Sequence, residues 1–207
     1  MMKSQSLGVL LLILLFIGCG QQSKVDSSFR FTQLSSTQTG ITFVNELNPD
    51  VSTKANLFDF DYFYNGGGVA AGDINNDGLP DLFFTANQGE NHLYINKGDW
   101  TYDNITDLSG INESKNWSNG VTTVDINEDG KLDFYISQGG PHDRDQRANL
   151  LYVNNGDMTF TERAQEYGLD DKGISTQSAF FDYDNDGDLD CIAVSYTHLT
   201  LPTIYSV

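Results

Sequence analysis

The chemistry of this sequence is concentrated in three acidic nonapeptides. Asp182-Tyr-Asp-Asn-Asp-Gly-Asp-Leu-Asp190 has Asp at five of its nine positions. Carboxylates packed that closely repel one another, and a divalent cation removes the repulsion. Side-chain oxygens at positions 1, 3, 5 and 9 can converge on one ion, with a backbone carbonyl from position 7, while Gly187 at position 6 permits the sharp turn. The predicted ligands are Asp182, Asp184, Asp186 and Asp190, with Asp188 contributing its carbonyl. The pattern D-x-[DN]-x-D-G-x-x-D recurs at Asp73, Asn75, Asp77, Leu79 and Asp81, and again at Asp125, Asn127, Asp129, Lys131 and Asp133. The three loops start 52 and then 57 residues apart, which is the mark of a repeat.

The donors are all oxygens, so the expected ion is Ca2+, about one per loop. An EF-hand would need a bidentate Glu at position 12, and Phe84, Ile136 and Ala193 stand there instead. A metal-free Asp/Asn/Gly turn is the other reading of each loop, although a plain turn does not need acids at matched positions.

The segments flanking the loops are short and β-like. Gly68-Val-Ala-Ala-Gly72, Gly120-Val-Thr-Thr-Val124 and Gln177-Ser-Ala-Phe-Phe181 precede them. Leu82-Phe-Phe-Thr85, Phe134-Tyr-Ile-Ser137 and Cys191-Ile-Ala-Val194 follow. The first two units continue with Leu93-Tyr-Ile-Asn-Lys-Gly-Asp99 and Leu151-Tyr-Val-Asn-Asn-Gly-Asp157, whose Asn-x-Gly segments are expected as hairpin turns. Four short strands per unit at this period predict an all-β fold, a partial β-propeller of four-stranded blades with calcium-binding hairpin loops. Ile41–Val44 is expected as a further strand. The aromatic run Phe58, Phe60, Tyr62, Phe63 and Tyr64 is expected to pack as core or edge rather than to stack a ligand. The second unit carries a longer excursion, Gly139 to Arg147, between its second and third strands; its stretch from His142 to Arg147 could line a channel or top-loop site, but is expected as a solvated long hairpin.

The formal net charge of −18 excludes nucleic acid and anionic lipid headgroups as natural partners. Ten carboxylates fill ligand positions, and three divalent ions would offset six of those charges. Residues 1–18 read as an export signal, with Lys3 before an apolar run of eleven residues, Leu7 to Ile17, too short to span a bilayer. It ends in Phe16-Ile-Gly-Cys19, which resembles a bacterial lipoprotein signal and implies a lipid on Cys19; an ordinary secretory signal is the alternative. Residues 19–30 read as a flexible tether. Cys191 then has no partner and is expected as a small apolar strand residue. Residues 194–207 do not continue the repeat. Val194 to Leu199 resembles translated adaptor DNA from transposon-based library preparation, which implies a truncated gene with an artefactual tail.

The loops, the Leu-Tyr-x-Asn turns and segments such as Tyr64-Asn-Gly-Gly-Gly-Val-Ala-Ala-Gly-Asp73 and Ser175-Thr-Gln-Ser-Ala-Phe-Phe-Asp-Tyr-Asp184 resemble the FG-GAP/VCBS repeat proteins over residues 31–193. The fold of that family is the calcium-loop propeller also found in integrin α-subunit heads. The closer resemblance is to exported bacterial lipoproteins that end in an ASPIC/UnbV-type domain. The resemblance implies a binding platform. The expectation is a calcium-stabilised, lipid-anchored module of the bacterial cell envelope that binds a protein or glycan ligand. Its membrane contact is the lipid on Cys19. The sequence contains no G-x-S-x-G, H-E-x-x-H or P-loop motif. A polysaccharide-acting hydrolase or lyase, with its active site in channel loops or in a missing C-terminal part, is the alternative.

Overall fold

The computed structural model describes residues 31–111, 117–196 and 203–206, the last four by backbone alone. The signal segment, Cys19 and the tether lie outside the described residues. The chain divides into a first unit, Met1–Leu34, and a second, Ser35–Val207. Of the first, only residues 31–34 are described, and they carry no regular structure.

In the second unit, alternating short apolar strands broken by Gly- and Asp-rich turns fold into three antiparallel sheets. The first blade is β1 (Val69–Gly72), β2 (Asp81–Phe84), β3 (His92–Gly98) and β4 (Thr101–Asn104), hydrogen-bonded in that order. The second is β5 (Trp117–Val124), β6 (Asp133–Gly139), β7 (Leu150–Asn154) and β8 (Phe160–Glu162). In the third, β9 (Ser175–Phe181) pairs with β10 (Asp190–Ser195), and β11 (Thr203–Ser206) pairs with β10 on its other side. These are the meander blades of a partial β-propeller, and no closed ring is formed among the described residues.

The blades stack face to face because alternate residues of a strand point to opposite faces. Strand β6 shows this most clearly. Phe134 and Ile136 join Phe83 and Leu93 of the first blade, together with Val121, Tyr152 and Phe160. Tyr135, between them, joins Leu151, Val153 and Cys191, with Phe180 of β9 packed against the group. Cys191 is fully buried in a strand, as its apolar flanks indicated.

The innermost strands approach closely. A Cβ on Gly68 would lie 2.9 Å from the Asn119 carbonyl oxygen, and one on Gly120 would lie 2.5 Å from that of Thr176. Gly is needed at both places because a neighbouring backbone fills the space. Polar side chains bridge the same junctions. Asn119 donates through Nδ2 to the Ser175 carbonyl at 2.7 Å, and Thr85 donates through Oγ1 to the Asn119 carbonyl at 2.7 Å.

Two local expectations are corrected. Residues 41–44 form no strand. Phe43 instead stacks on Phe84 at 5.1 Å, and the Thr42 amide donates to the Tyr94 hydroxyl at 3.2 Å, so side chains rather than a ladder hold the segment to the first blade. The Gly of each Asn-x-Gly segment is left-handed, with φ of 84° at Gly98 and 85° at Gly156, and the second segment turns as expected, but in the first the reversal falls one step later. Asn96 is a buried residue inside β3 and Asn154 is the buried end of β7; the reversal passes through left-handed Asp99 and Trp100 after β3, and through left-handed Gly156 and Met158 after β7. The aromatic run divides. Phe60 and Phe63 are buried against Trp117, Tyr62 stacks on Tyr196, and Phe58 and Tyr64 are exposed.

Candidate metal centre

Each acidic loop joins the first and second strands of its blade: β1 to β2, β5 to β6 and β9 to β10. The three share one internal frame. Position 4 is left-handed in every loop, with φ of 58° at Asn76, 57° at Glu128 and 63° at Asn185. Gly78, Gly130 and Gly187 at position 6 are left-handed too, so the chain curls around its own acids.

The position 1 carboxylate closes that curl. Asp73 accepts from the amides of Asp77 at 3.0 Å and Gly78 at 2.8 Å. Asp125 repeats this with Asp129 at 3.0 Å and Gly130 at 2.9 Å. Asp182 accepts from Asn185 at 2.7 Å and Gly187 at 3.1 Å. At position 3, Asn75 and Asn127 accept from the position 5 amides at 3.1 and 3.2 Å. At position 5, Asp77, Asp129 and Asp186 accept from the position 7 amides of Leu79, Lys131 and Asp188, at 2.9, 3.0 and 3.0 Å.

Position 9 is different in kind, because it is buried. Asp81, Asp133 and Asp190 accept from the position 2 amides of Ile74, Ile126 and Tyr183 at 3.0, 2.9 and 2.8 Å. In the two complete blades the other oxygen accepts from a second strand. Asn96 donates its amide to Asp81 at 2.8 Å, and Asn154 donates its amide to Asp133 at 2.8 Å. Burial raises the Asp81 and Asp133 carboxyls, and the two backbone donors on each work against it. Sequence reasoning did not give Asn96 and Asn154 this role. The signal for it was their identical place in Leu-Tyr-x-Asn of both units.

The third loop gathers its acids most tightly. One carboxylate oxygen each from Asp182, Asp184 and Asp190 lie within 4.8 Å of one another. Desolvation raises the Asp184 carboxyl, and the charges of Asp186, Asp190 and Asp182 push it further in the same direction. In the first two loops Asn occupies position 3, so fewer charges meet. In the second, Lys131 reaches back to Asp129 with Nζ at 2.8 Å and holds that carboxyl below its ordinary range. The donor set consists of carboxylate, amide and peptide oxygens, which fits a hard divalent cation. Asp182, Asp184 and Asp190 would hold it in the third loop, and the charge of such an ion would cancel the repulsion seen at Asp184.

The loops also touch across blades. Asn76 donates through Nδ2 to the Gly130 carbonyl at 3.2 Å, and Asn154 donates through Nδ2 to the Ile74 carbonyl at 3.0 Å.

Two comparisons bear on this arrangement. Residues 73–136 and 140–193 match the model of the FG-GAP-like repeat. Both stretches begin or end within the loops and strands just described, and together they cover more than half of the chain. The chain is 36% identical over 129 residues to cartilage acidic protein 1 of Xenopus tropicalis, covering 61% of this chain and 19% of that protein. It is 31% identical over 130 residues to cartilage acidic protein 1 of Homo sapiens, again covering 61% of this chain and 19% of that protein. The aligned stretch thus spans about a fifth of the length of these animal relatives. FG-GAP-like repeats suggest a β-propeller binding module, and the three meander sheets agree with it. The chain belongs to the FG-GAP-like repeat family.

Proposed function

We propose that this chain is a calcium-stabilised β-propeller module that binds a protein or glycan ligand at the bacterial cell envelope, tethered through lipid on Cys19. The observation that carries the calcium reading is the shared frame of the three loops. In each, the position 1 and position 9 carboxylates are already anchored by backbone amides, so they are fixed in place before any ion arrives. A bound Ca2+ would supply positive charge among them and tie the ends of two strands together. The residues expected to hold it are Asp73, Asn75, Asp77 and Asp81; Asp125, Asn127, Asp129 and Asp133; and Asp182, Asp184, Asp186 and Asp190, with the carbonyls of Leu79, Lys131 and Asp188.

A protein ligand is favoured over a glycan, because FG-GAP-like repeats are generally protein-interaction modules. Export and the lipid anchor are supported by the sequence of residues 1–19, whose apolar run, Leu7 to Ile17, is followed by Gly18-Cys19. Calcium outside the cytosol is plentiful enough to fill sites with dissociation constants of about 10⁻⁴ to 10⁻³ M.

The test is a calcium titration by calorimetry, with an EDTA-treated control and with Asp77→Ala, Asp129→Ala and Asp186→Ala. Uptake of about one ion per loop, lost one at a time in the three variants, is expected. A folded protein that takes up no calcium would reduce the loops to self-braced turns.

A further inference from the structure

A cleft of about 240 Å³ lies between the second and third acidic loops, lined by Ile126, Asn127, Glu128, Tyr167, Asp188 and Leu189. Ile126 belongs to the buried apolar cluster shared by the second and third blades, and Tyr167 and Leu189 pack against that cluster. The cleft therefore has an apolar floor. Its two charged members, Glu128 and Asp188, are both acids and both exposed.

Neither acid serves the loop pattern through its side chain. Glu128 stands at position 4, where the other loops have Asn76 and Asn185. Asp188 stands at position 7, where the others have Leu79 and Lys131. The repeat supplies an internal control for what these positions do. Between the first and second loops, the position 4 Asn76 donates to the Gly130 carbonyl at 3.2 Å, and the position 7 residue is the cation Lys131, which ion-pairs with Asp129 of its own loop at 2.8 Å. Between the second and third loops, an ionised Glu128 has no N–H to donate to the next loop, and Asp188 brings a carboxylate in place of an ammonium. Position 4 joins the first junction with a hydrogen bond and position 7 carries a cation there, whereas at the second junction both positions carry acids and that bond is not made. Arg163 lies 5.6 Å over the Tyr167 ring, but it is ion-paired with Glu166.

We propose that this cleft receives a lysine or arginine side chain presented by a partner protein. The aliphatic stem lies along Ile126, Leu189 and the Tyr167 ring, and the cationic head sits between Glu128 and Asp188. Calcium in the neighbouring loops does not remove the complementarity. The third loop holds four acids at ligand positions, so one divalent ion leaves it negative, and Glu128 and Asp188 remain outside that set. The inference rests on the reading of the chain as a protein-binding module and names the chemistry of its partner.

The experiment is an NMR titration of the full ¹⁵N-labelled chain with Ac-Gly-Lys-Gly-NH2 and with its norleucine counterpart, in millimolar calcium and again in EDTA. Calcium uptake is read separately by calorimetry on the same samples. The lysine peptide is expected to shift the amides of residues 126–128, 167 and 188–189. The Glu128→Gln/Asp188→Asn double variant is expected to weaken it about fivefold, the size of two exposed charge contacts. The norleucine peptide is expected to be weaker by a similar factor. Absence of shifts at those amides would overturn the cleft while leaving calcium uptake, and the module reading, intact. Equal binding of norleucine would overturn the charge complementarity. Loss of one bound calcium in the double variant would make the cleft a metal site and overturn the side-chain reading.

Discussion

The position 9 and position 5 acids of one loop should fail in different ways, and the difference separates structure from metal. Asp133 has no exposed surface and accepts from two backbone amides, Ile126 at 2.9 Å and Asn154 at 2.8 Å. Asp133→Ala removes both acceptors and leaves two buried N–H groups unpaired. Hydrogen bonds to a charged group are worth about 1.5–3 kcal/mol each, so the gross loss is roughly 3–6 kcal/mol. Relief of the burial that raises the Asp133 carboxyl returns part of this, leaving a net loss of about 2–4 kcal/mol. That loss involves no ion and must appear in EDTA. Asp129 is exposed, and in the absence of calcium its replacement by Ala loses only the Lys131 contacts and the brace from Asn127. Asp129→Ala should therefore unfold close to the parent in EDTA but lose part of the calcium-dependent rise in urea midpoint. Urea denaturation of the parent and both variants, with and without calcium, measures this. If Asp133→Ala is harmless in EDTA, the two-amide anchor is not what holds the loop. If Asp129→Ala keeps the whole calcium response, the second loop does not use Asp129 to hold an ion.

Three further outcomes follow from other parts of the molecule. A Cβ on Gly120 would meet the Thr176 carbonyl at 2.5 Å and the Gln177 side chain, so Gly120→Ala should cost about 1–3 kcal/mol in denaturant stability by forcing the third blade off the second. An Ala at the open Gly89 is the matched control, since only the Ala86 side chain lies near it, at 3.6 Å. Burial pushes His142 below its ordinary value of 6.5, Arg147 adds to the shift and Asp143 opposes it. The fold then prefers the neutral ring, so its contribution is fully present above pH 6.5 and is lost as pH falls through the depressed value. Melting curves from neutral to mildly acid pH should show this slope flattened in His142→Gln. Burial pushes the Cys191 thiol up to about 12, so Ellman's reagent should leave it untouched in the folded chain and react once denaturant exposes it. Labelling at a rate independent of unfolding would contradict its place in the core.

The fold and the loops were legible because both depend on local rules that repeat. The loop pattern fixes Gly at the left-handed position 6, and the flanking strands alternate at period two, so three copies reinforce one another. What was not legible depended on contacts far along the chain. Ile41–Val44 has strand composition, but it lies beside the first blade with Phe43 on Phe84, and no sequence rule says that a ladder partner is missing. Asn96 and Asn154 read as turn residues because Asn precedes Gly so often in turns. They do serve the turns, each accepting from the amide of the next Gly through Oδ1 at 2.9 Å, but they also present backbone amides to Asp81 and Asp133, 15 and 21 residues earlier, and only the three-dimensional register shows that. The Phe58–Tyr64 run split between core and surface for the same reason: Trp117, which buries Phe60 and Phe63, lies more than fifty residues later in sequence.

Asn154 ties the acidic loop of one blade to that of the next. Its Nδ2 donates to the Ile74 carbonyl of the first loop at 3.0 Å and to the Leu132 carbonyl of its own loop at 3.2 Å. Its counterpart Asn96 donates through Nδ2 to the Pro80 carbonyl at 2.9 Å, within its own loop. Ile74 follows Asp73, the position 1 acid, so an ion bound in the first loop would also fix the carbonyl that Asn154 grips. Asn154→Ala should cost about 1–3 kcal/mol through the carbonyls it leaves unpaired. More diagnostic is its coupling to the first loop. In calcium, a double-mutant cycle of Asp77→Ala with Asn154→Ala should give an interaction energy above about 0.5 kcal/mol. The same cycle in EDTA should give less, because no ion then holds the loop. Asn96→Ala with Asp129→Ala is the control and should be additive, since Asn96 bonds within the first loop. Equal coupling in calcium and EDTA would show that Asn154 joins the blades by packing alone. Additivity in both would show that each loop stands by itself, and that the blades are joined only through their apolar faces.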